Sequence, residues 1–189
     1  MKTVNLMIVG VGGQGTLLTS RIIGKVASEN GYDVKISEVH GMAQRGGSVV
    51  TFVRYGHKVY EPVCEEGTVD FLIAFERLEA LRYAHYLKKD GKLIINDTRI
   101  DPMTVVIGAK EYPNNIIEEL QKEHDVYVID GGKITAEIGN NKVLNTVVLG
   151  FSARYIGGDQ DLWLNVVEKT VPPKTVEINK LAFKKGYQA

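Results

Sequence analysis

Hydrophobic positions along the chain follow two patterns that alternate as far as about residue 130. Short, almost unbroken apolar runs are typical of strands buried on both faces, whereas apolar residues three and four positions apart are typical of helices that pack on one side. The runs predict strands at residues 5–9, 34–39, 48–55, 58–60, 71–75, 93–95, 105–107 and 126–129. The helical spacing predicts helices at residues 16–30, 76–89 and 115–123, and from residue 133 onward at 143–155, 162–171 and 176–185.

The order of these elements predicts an α/β fold. Strands and helices alternate except after residue 39, where a loop and the β-rich segments 48–55 and 58–60 replace the second crossover helix. Gly56-His57 separates these two segments, which is typical of a hairpin. We therefore predict a three-layer Rossmann-like domain with a mixed, mostly parallel sheet, an inserted β-hairpin and a helical C-terminal part. No repeat or linker interrupts the pattern, so we expect a single domain over residues 1–189.

Composition and charge narrow the classes of partner. The 189 residues include 23 Lys and Arg and 23 Asp and Glu, so the formal net charge is zero and no long-range field attracts nucleic acid or an anionic membrane. No apolar run approaches the roughly 20 residues that span a bilayer. The N-terminus carries no cleavable signal pattern. We therefore expect a cytoplasmic protein that binds neither nucleic acid nor membrane.

Cysteine and histidine usage limits the chemistry of the chain. Cys64 is the only cysteine, which excludes an internal disulfide and a cysteine-ligated zinc site or iron–sulfur cluster built by this chain alone. The four histidines are scattered, and no Ser, Cys or Asp stands at a spacing that builds a catalytic triad with His40. We predict no metal site and no catalytic residue in this chain.

A Gly-x-Gly-x-x-Gly segment between the first strand and the first helix is the main candidate site. Glycines allow a positive φ and close approach of a ligand, and the free N–H groups of a first helical turn attract phosphate. The alternative is a turn that only lets the strand and the helix pack. The candidate contacts for a phosphate, a cofactor or a partner are Gly10, Gly12, Gly13, Gln14, Gly15 and Thr16.

A second loop, rich in small residues, follows the strand predicted at residues 34–39. Arg45 precedes two glycines, and a guanidinium matches the oxygens of a phosphate or carboxylate. Alternatively, Arg45 pairs with Glu38 and only fixes the loop. Because this loop leaves a neighbouring strand end, we expect it to lie beside the glycine loop. Its candidate contacts are His40, Gln44, Arg45, Gly46, Gly47 and Ser48.

Two aspartates follow later strands at the same side of the sheet. Asp97 comes after a predicted strand that ends at residue 95, and Asp130 comes directly after the last one. Aspartate is a preferred residue at the start of a helix, where its side chain accepts from a free backbone N–H. We therefore predict that both aspartates cap the segments that follow them.

The two loops together resemble a known family. The segments 10–15 and 38–49, with the sequences GVGGQG and EVHGMAQRGGSV, are similar to the γ-type subunit of thiamine-dependent 2-oxoacid:ferredoxin oxidoreductases. The resemblance covers nearly the whole chain, and the segment HGMAQRGG is most similar to the small subunit of the indolepyruvate branch. In the C-terminal helix the resemblance rests on Glu177, Asn179, Ala182 and Phe183.

The resemblance implies a function that this chain performs with others. The indolepyruvate branch converts indolepyruvate, coenzyme A and oxidised ferredoxin to indoleacetyl-CoA, carbon dioxide and reduced ferredoxin. Thiamine diphosphate, Mg²⁺ and the iron–sulfur clusters belong to a larger catalytic partner subunit, and ferredoxin is reached through the complex. The small subunit completes the complex and helps to bind coenzyme A, so the isolated chain is expected to be inactive. An apolar face meant for the partner could also pair two copies of the isolated chain.

Three other functions fit parts of the sequence. The substrate could be another 2-oxoacid, namely pyruvate, a branched-chain oxoacid or 2-oxoglutarate. The subunit could be purely structural, with loops that touch only the partner. An NAD- or FAD-binding oxidoreductase would use the glycine loop for the diphosphate and Glu38, near the end of the next strand, for a ribose. The predicted hairpin in place of a second crossover argues against this last function.

Overall fold

The computed structural model describes residues 2–41 and 46–189. Its strands are β1 (Val4–Val11), β2 (Asp33–His40), β3 (Ser48–Gly56), β4 (Val69–Ala74), β5 (Leu87–Asn96) and β6 (Asp125–Ile129). Its helices are α1 (Thr16–Glu29), α2 (Arg77–Tyr83), α3 (Met103–Val106), α4 (Ile116–Leu120), α5 (Gly131–Ile138), α6 (Leu144–Ile156), α7 (Gln160–Thr170) and α8 (Val176–Gln188). Short 3₁₀ turns lie at Ala84–Tyr86, Asn141–Val143 and Pro173–Thr175.

The six strands form one mixed sheet in the order β2-β3-β1-β4-β5-β6. β1, β4, β5 and β6 are parallel, while β3 is antiparallel to both of its neighbours, β1 and β2. The prediction of a mixed, mostly parallel sheet is therefore confirmed. The carboxyl ends of the five like-directed strands and the start of β3 meet at one edge, which we call the carboxyl edge.

The predicted antiparallel element is present, but it is built differently. β2 pairs with β3 over its whole length, from Asp33 opposite Gly56 to His40 opposite Val49. Residues 58–60, predicted as the second strand of the hairpin, are not a strand. The side chain of Asp33 accepts a hydrogen bond from the Val59 N–H at 2.9 Å, so side-chain contacts rather than a backbone ladder hold this segment.

Two further predictions are wrong. Residues 105–107, predicted as a strand, lie in and just after α3, where Val106 and Ile107 are both more than 60% exposed. An apolar run therefore does not by itself show burial. The helix predicted over 76–89 ends at Tyr83, and Leu87 begins β5 and pairs with Val69. Cross-strand pairing decides the state of Leu87, and the spacing of apolar residues along the chain does not contain that information.

Helices cover the sheet on both faces, which produces the predicted three layers. Along β1, Leu6 and Ile8 face the core beneath α1, α6, α7 and α8, whereas Met7 and Val9 face the core beneath α2 and α4. This alternation is the period-two pattern of a strand. The two cores give β1 buried neighbours on both sides, so the loop after it starts from a rigid base. Within residues 2–41 and 46–189, no helix is long and apolar enough to cross a membrane.

Candidate functional site

The glycine loop lies at the carboxyl edge, between β1 and α1. Gly13 and Gly15 have φ values of 103° and 84°, which are strained for any residue with a Cβ atom. Gly15 is the residue before the first turn of α1, and no side chain caps this helix. The first N–H groups of a helix have no partner within it, and they carry the positive end of the helix dipole. The start of α1 is therefore available to a ligand oxygen.

Two of the predicted contact residues shape the loop from within. Gln14 Oε1 accepts from the Val11 N–H at 2.7 Å, and Gln14 Nε2 donates to the Phe75 carbonyl at 3.1 Å. Gly10 is buried beside them, and a Cβ atom there would stand 2.9 Å from Gln14 Oε1 and 3.1 Å from Phe75 Cβ. Gly10 and Gln14 thus hold the loop against the end of β4.

The second loop meets the glycine loop, as predicted. Two backbone hydrogen bonds join the loops. The Gly12 N–H donates to the Gly47 carbonyl at 2.8 Å, and the Gly46 N–H donates to the Gly12 carbonyl at 3.5 Å. The reason given for this prediction is wrong, however, because β2 is not a neighbour of β1. The contact is made just before β3, the strand that lies between them and pairs with β1. Gln44 and Arg45 lie outside the described residues, so their predicted contacts stay predictions.

One cleft beside the glycine loop, the Glu38 cleft, opens toward β2 and has a volume of about 260 Å³. Glu38 Oε1 lies 3.9 Å from His40 Nδ1, and Glu38 Oε2 accepts from Thr51 Oγ1 at 3.4 Å. A carboxylate in this position repels an anion bound in the same cleft. The cleft is lined by Gly12, Gly13, Gly15, Thr16, Leu17, Glu38, His40 and Val49.

A second cleft, the Asn145 cleft, lies on the other side of the glycine loop and has a volume of about 560 Å³. Most of its exposed wall area is apolar, and its polar lining residues include Lys142 and Asn145. It is lined by Gly13, Gln14, Gly15, Leu18, Thr98, Ile100, Asn140, Asn141, Lys142, Val143, Leu144, Asn145, Pro172, Thr175, Ile178 and Asn179. A ligand with an apolar body and a charged end matches this lining.

Asn145 is a candidate contact that sequence reasoning missed. The residue is only 7% exposed, and it packs on Gly15, where a Cβ atom would stand 3.0 Å from Asn145 Nδ2. Asn145 also lies in the first turn of α6, which continues directly from the 3₁₀ turn Asn141–Val143, where the Leu144 N–H donates to the Asn141 carbonyl. The sequence shows an asparagine near the start of the helix predicted at residues 143–155, but an asparagine there equally predicts an ordinary helix cap, so the pattern did not identify a ligand contact. The structure thus adds an amide to the donors around the glycine loop.

The ends of β5 and β6 complete the carboxyl edge. Asp130 accepts from the Lys133 N–H at 2.8 Å, which confirms it as the cap of α5. The prediction that Asp97 is also a cap is wrong, because its carboxylate forms an ion pair with Arg77. The hydrogen bond that Arg77 donates to Asp97 raises the pKa of the guanidinium. The reason for the difference is that no helix begins after Asp97 until α3, where Pro102 is the residue before the first turn.

Comparison with known proteins decides the family. The sequence profile of the pyruvate ferredoxin/flavodoxin oxidoreductase family matches residues 5–189. The chain belongs to this family. Indolepyruvate oxidoreductase subunit IorB of Thermococcus kodakarensis is 39% identical over 197 aligned residues, which cover all of this chain and 96% of that protein. The family predicted from the two loops is therefore confirmed.

Two solved structures share the fold of this chain. Pyruvate oxidoreductase subunit PORC of Thermotoga maritima superposes with a TM-score of 0.75 at 23% identity, covering all of this chain and 97% of that one. The 2-oxoglutarate:ferredoxin oxidoreductase of Magnetococcus marinus was solved with 2-oxoglutarate, coenzyme A and succinyl-CoA bound. One of its chains superposes with a TM-score of 0.74 at 19% identity, covering all of this chain and 31% of that longer one.

The described residues of this member of the pyruvate ferredoxin/flavodoxin oxidoreductase family do not fit a metal or cluster site. Cys64 is buried, and desolvation raises the pKa of its thiol to about 11, which leaves little of the thiolate that binds metals or attacks substrates. Among residues 2–41 and 46–189, no three His, Cys, Asp or Glu side chains group closely enough to hold a metal ion. What the site offers is the hydrogen-bond donors at the start of α1 and the amide of Asn145.

Proposed function

We propose that this chain is the small subunit of an indolepyruvate ferredoxin oxidoreductase and carries no cofactor of its own. The complex would convert indolepyruvate, coenzyme A and oxidised ferredoxin to indoleacetyl-CoA, carbon dioxide and reduced ferredoxin. The observation that carries the proposal is the 39% identity to an indolepyruvate oxidoreductase subunit along the entire chain. The match of the family profile to residues 5–189 also supports treating residues 1–189 as one domain.

The larger partner subunit would hold thiamine diphosphate, Mg²⁺ and the iron–sulfur clusters. Thiamine diphosphate supplies the carbanion chemistry of decarboxylation, and the clusters carry electrons to ferredoxin. A single buried cysteine cannot ligate a cluster, which supports their placement in another chain. The isolated small subunit is then inactive, and the complex works in the cytoplasm.

The molecular mass of the isolated chain in solution tests separately whether two copies of it pair.

The task of this chain would be to complete the active site and to hold part of coenzyme A. Coenzyme A carries a diphosphate and a 3′-phosphate on a long, partly apolar arm. The loop residues before α1, the backbone at Leu18 in its first turn and the Asn145 amide offer donors around the Asn145 cleft, and Lys142 adds a positive charge at its wall. The Glu38 carboxylate makes the opposite cleft less suitable for phosphate. Arg45 remains a predicted phosphate contact on sequence grounds.

Purification of the chain together with its partners tests this function. The tagged chain is produced anaerobically in its native host, and the purified material is assayed for ferredoxin reduction with indolepyruvate, pyruvate, a branched-chain oxoacid and 2-oxoglutarate. We expect a brown complex with a larger cysteine-rich chain and the highest kcat/KM on indolepyruvate. A higher kcat/KM on another oxoacid would assign the chain to another branch of the family. A colourless chain without a partner would contradict the proposal, and nicotinamide or flavin binding by it would favour the dinucleotide enzyme.

Substitutions at two donors test the coenzyme A contact. We expect Asn145→Ala and Arg45→Ala each to raise the KM for coenzyme A about tenfold in the complex, because a hydrogen bond to a charged group contributes about 1.5–3 kcal/mol. The matched control is Asn114→Ala, an exposed position that lines neither the Asn145 cleft nor the Glu38 cleft, and it should leave the KM for coenzyme A unchanged. If both test variants keep the wild-type KM in an active complex, the loops touch only the partner and the subunit is structural.

A further inference from the structure

Glu79 is a buried carboxylate that lies outside both clefts. It belongs to the first turn of α2 and is nearly inaccessible, with the whole residue only 3% exposed. The residue before α2, Glu76, caps the helix by accepting from the Glu79 N–H at 3.0 Å. In a reciprocal capping box, the side chain of Glu79 would return to the backbone of Glu76. It reaches across to β3 instead.

The contacts of Glu79 tie α2 to the first residue of β3. Ser48 Oγ donates to Glu79 Oε2 at 2.5 Å and lies 3.2 Å from the Tyr83 hydroxyl oxygen. Arg82 Nη1 lies 3.2 Å from Glu79 Oε1. Burial raises the pKa of the Glu79 carboxyl, since removing a charge from water is costly. A buried carboxylate is stable only when its oxygens have hydrogen-bond or ionic partners. Of the two partners of Glu79, Arg82 belongs to the same helix and Ser48 belongs to β3.

Ser48 is also joined directly to the candidate site. It pairs with Val11 in the β1–β3 ladder, and the residue before it, Gly47, accepts from the Gly12 N–H at 2.8 Å. The end of the second loop is thus attached to β1 through its backbone and to α2 through the Ser48 side chain. Without the hydrogen bond between Ser48 and Glu79, only the pairing of β3 with β1 would hold Gly47 in place to accept from the Gly12 N–H.

We propose that Glu79 is a positioning residue that holds Gly46 and Gly47 against the glycine loop through Ser48. Its effect on coenzyme A rests on the proposed function, because it acts through loops that the proposed function assigns to that ligand. Glu79 lines neither the Glu38 cleft nor the Asn145 cleft, so it acts without touching the ligand.

Amide exchange in the isolated full chain tests the positioning without any ligand. We expect Glu79→Ala and Ser48→Ala each to speed hydrogen exchange of the Gly12 amide about tenfold, which corresponds to the net contribution of one hydrogen bond. Glu79→Gln keeps an acceptor for Ser48 and should restore protection. The Gly131 amide, which donates to Asn96 Oδ1 at 3.0 Å, is the internal reference. Glu118→Ala, an exposed glutamate in the first turn of α4, is the matched control.

Kinetics of the assembled complex then separate positioning from general destabilisation. We expect Glu79→Ala to raise the KM for coenzyme A with kcat unchanged, and Glu79→Gln to restore the KM. A Gly12 amide as protected in Glu79→Ala and Ser48→Ala as in the wild type would overturn the positioning role. Faster Gly12 exchange with an unchanged KM would support the positioning role and overturn the coenzyme A contact of the proposed function.

Discussion

Gln14 shows how a single side chain determines the shape of the glycine loop. Its amide accepts from the Val11 N–H and donates to the Phe75 carbonyl, so both polar atoms are engaged inside the protein. The Phe75 carbonyl also accepts from Asn96 Nδ2 at 3.2 Å, and Asn96 Oδ1 accepts from the Gly131 N–H. One chain of amides therefore connects the ends of β1, β4 and β5 with the start of α5.

Replacement of Gln14 by an apolar residue of similar size tests this role. Gln14→Leu would leave the Val11 N–H without a partner, which costs about 1–3 kcal/mol, and would remove one of the two hydrogen bonds to the Phe75 carbonyl, which contributes about 0.5–1.5 kcal/mol. We expect the free energy of unfolding, measured with urea, to fall by about 2–4 kcal/mol. Gln121→Leu, at an exposed position just after α4, is the matched control and should change it by less than about 0.5 kcal/mol. Equal stability of the two variants would contradict the role of Gln14.

At the scale of elements, α6 and α8 pack unusually closely at two glycines. A Cβ atom on Gly150 would stand 2.1 Å from the Phe183 carbonyl oxygen, and one on Gly186 would stand 2.0 Å from the Val147 carbonyl oxygen. These partners are backbone atoms of a neighbouring helix, so they cannot move aside as a flexible side chain would. The start of α6, which carries Asn145, is therefore set by a backbone-to-backbone contact further along the same helix.

Alanine substitutions at this crossing should be strongly destabilising. We expect Gly150→Ala and Gly186→Ala each to lower the free energy of unfolding by about 3 kcal/mol, at the upper end of the usual cost of overpacking, because the added methyl group forces the two helices apart. Gly132→Ala is the control, since it also lies in a helix but a Cβ atom there meets only Asp130 Oδ1 at an ordinary 3.4 Å. It should be neutral or stabilising by up to about 1 kcal/mol, as alanine favours helices. A similar cost at all three positions would show that the close crossing is absent.

At the scale of the whole molecule, the carboxyl edge gathers everything that the proposed function uses. Both clefts open beside the glycine loop, and the ends of β4 and β5 border it. The opposite edge, at the start of β2 and the end of β3, carries no predicted contact. A partner subunit that completes an active site with this chain should therefore cover the carboxyl edge.

Hydrogen exchange of the complex tests which edge is covered. We expect backbone amides of residues 10–18, 97–101 and 140–145 to exchange more slowly in the complex than in the isolated chain. Peptides covering residues 30–33 and 56–60, at the opposite edge, serve as the control and should exchange alike in both states. If only amides at the opposite edge were protected, the partner would bind away from both clefts, which would contradict the proposed arrangement.

Much of the architecture was predictable because it depends on local patterns. The buried run at residues 71–75 and the glycine loop between β1 and α1 both matched the structure, as did the Asp130 cap. The strand predicted at 105–107 failed because exposed and buried apolar residues look alike in a sequence. The hairpin segment 58–60 failed because β2, on the other side of the second loop, is the strand that pairs with β3.

The amino-acid sequence by itself determined the class of fold, the position of the glycine loop, the lack of cysteines for a cluster and the resemblance that identified the family. These features follow from residue types and their spacing along the chain. Only the tertiary structure decided that β3 lies between β2 and β1, that Asn145 packs on Gly15, and that Glu79 reaches Ser48. Each of these joins residues far apart along the chain, and such contacts depend on how whole elements pack rather than on local preference.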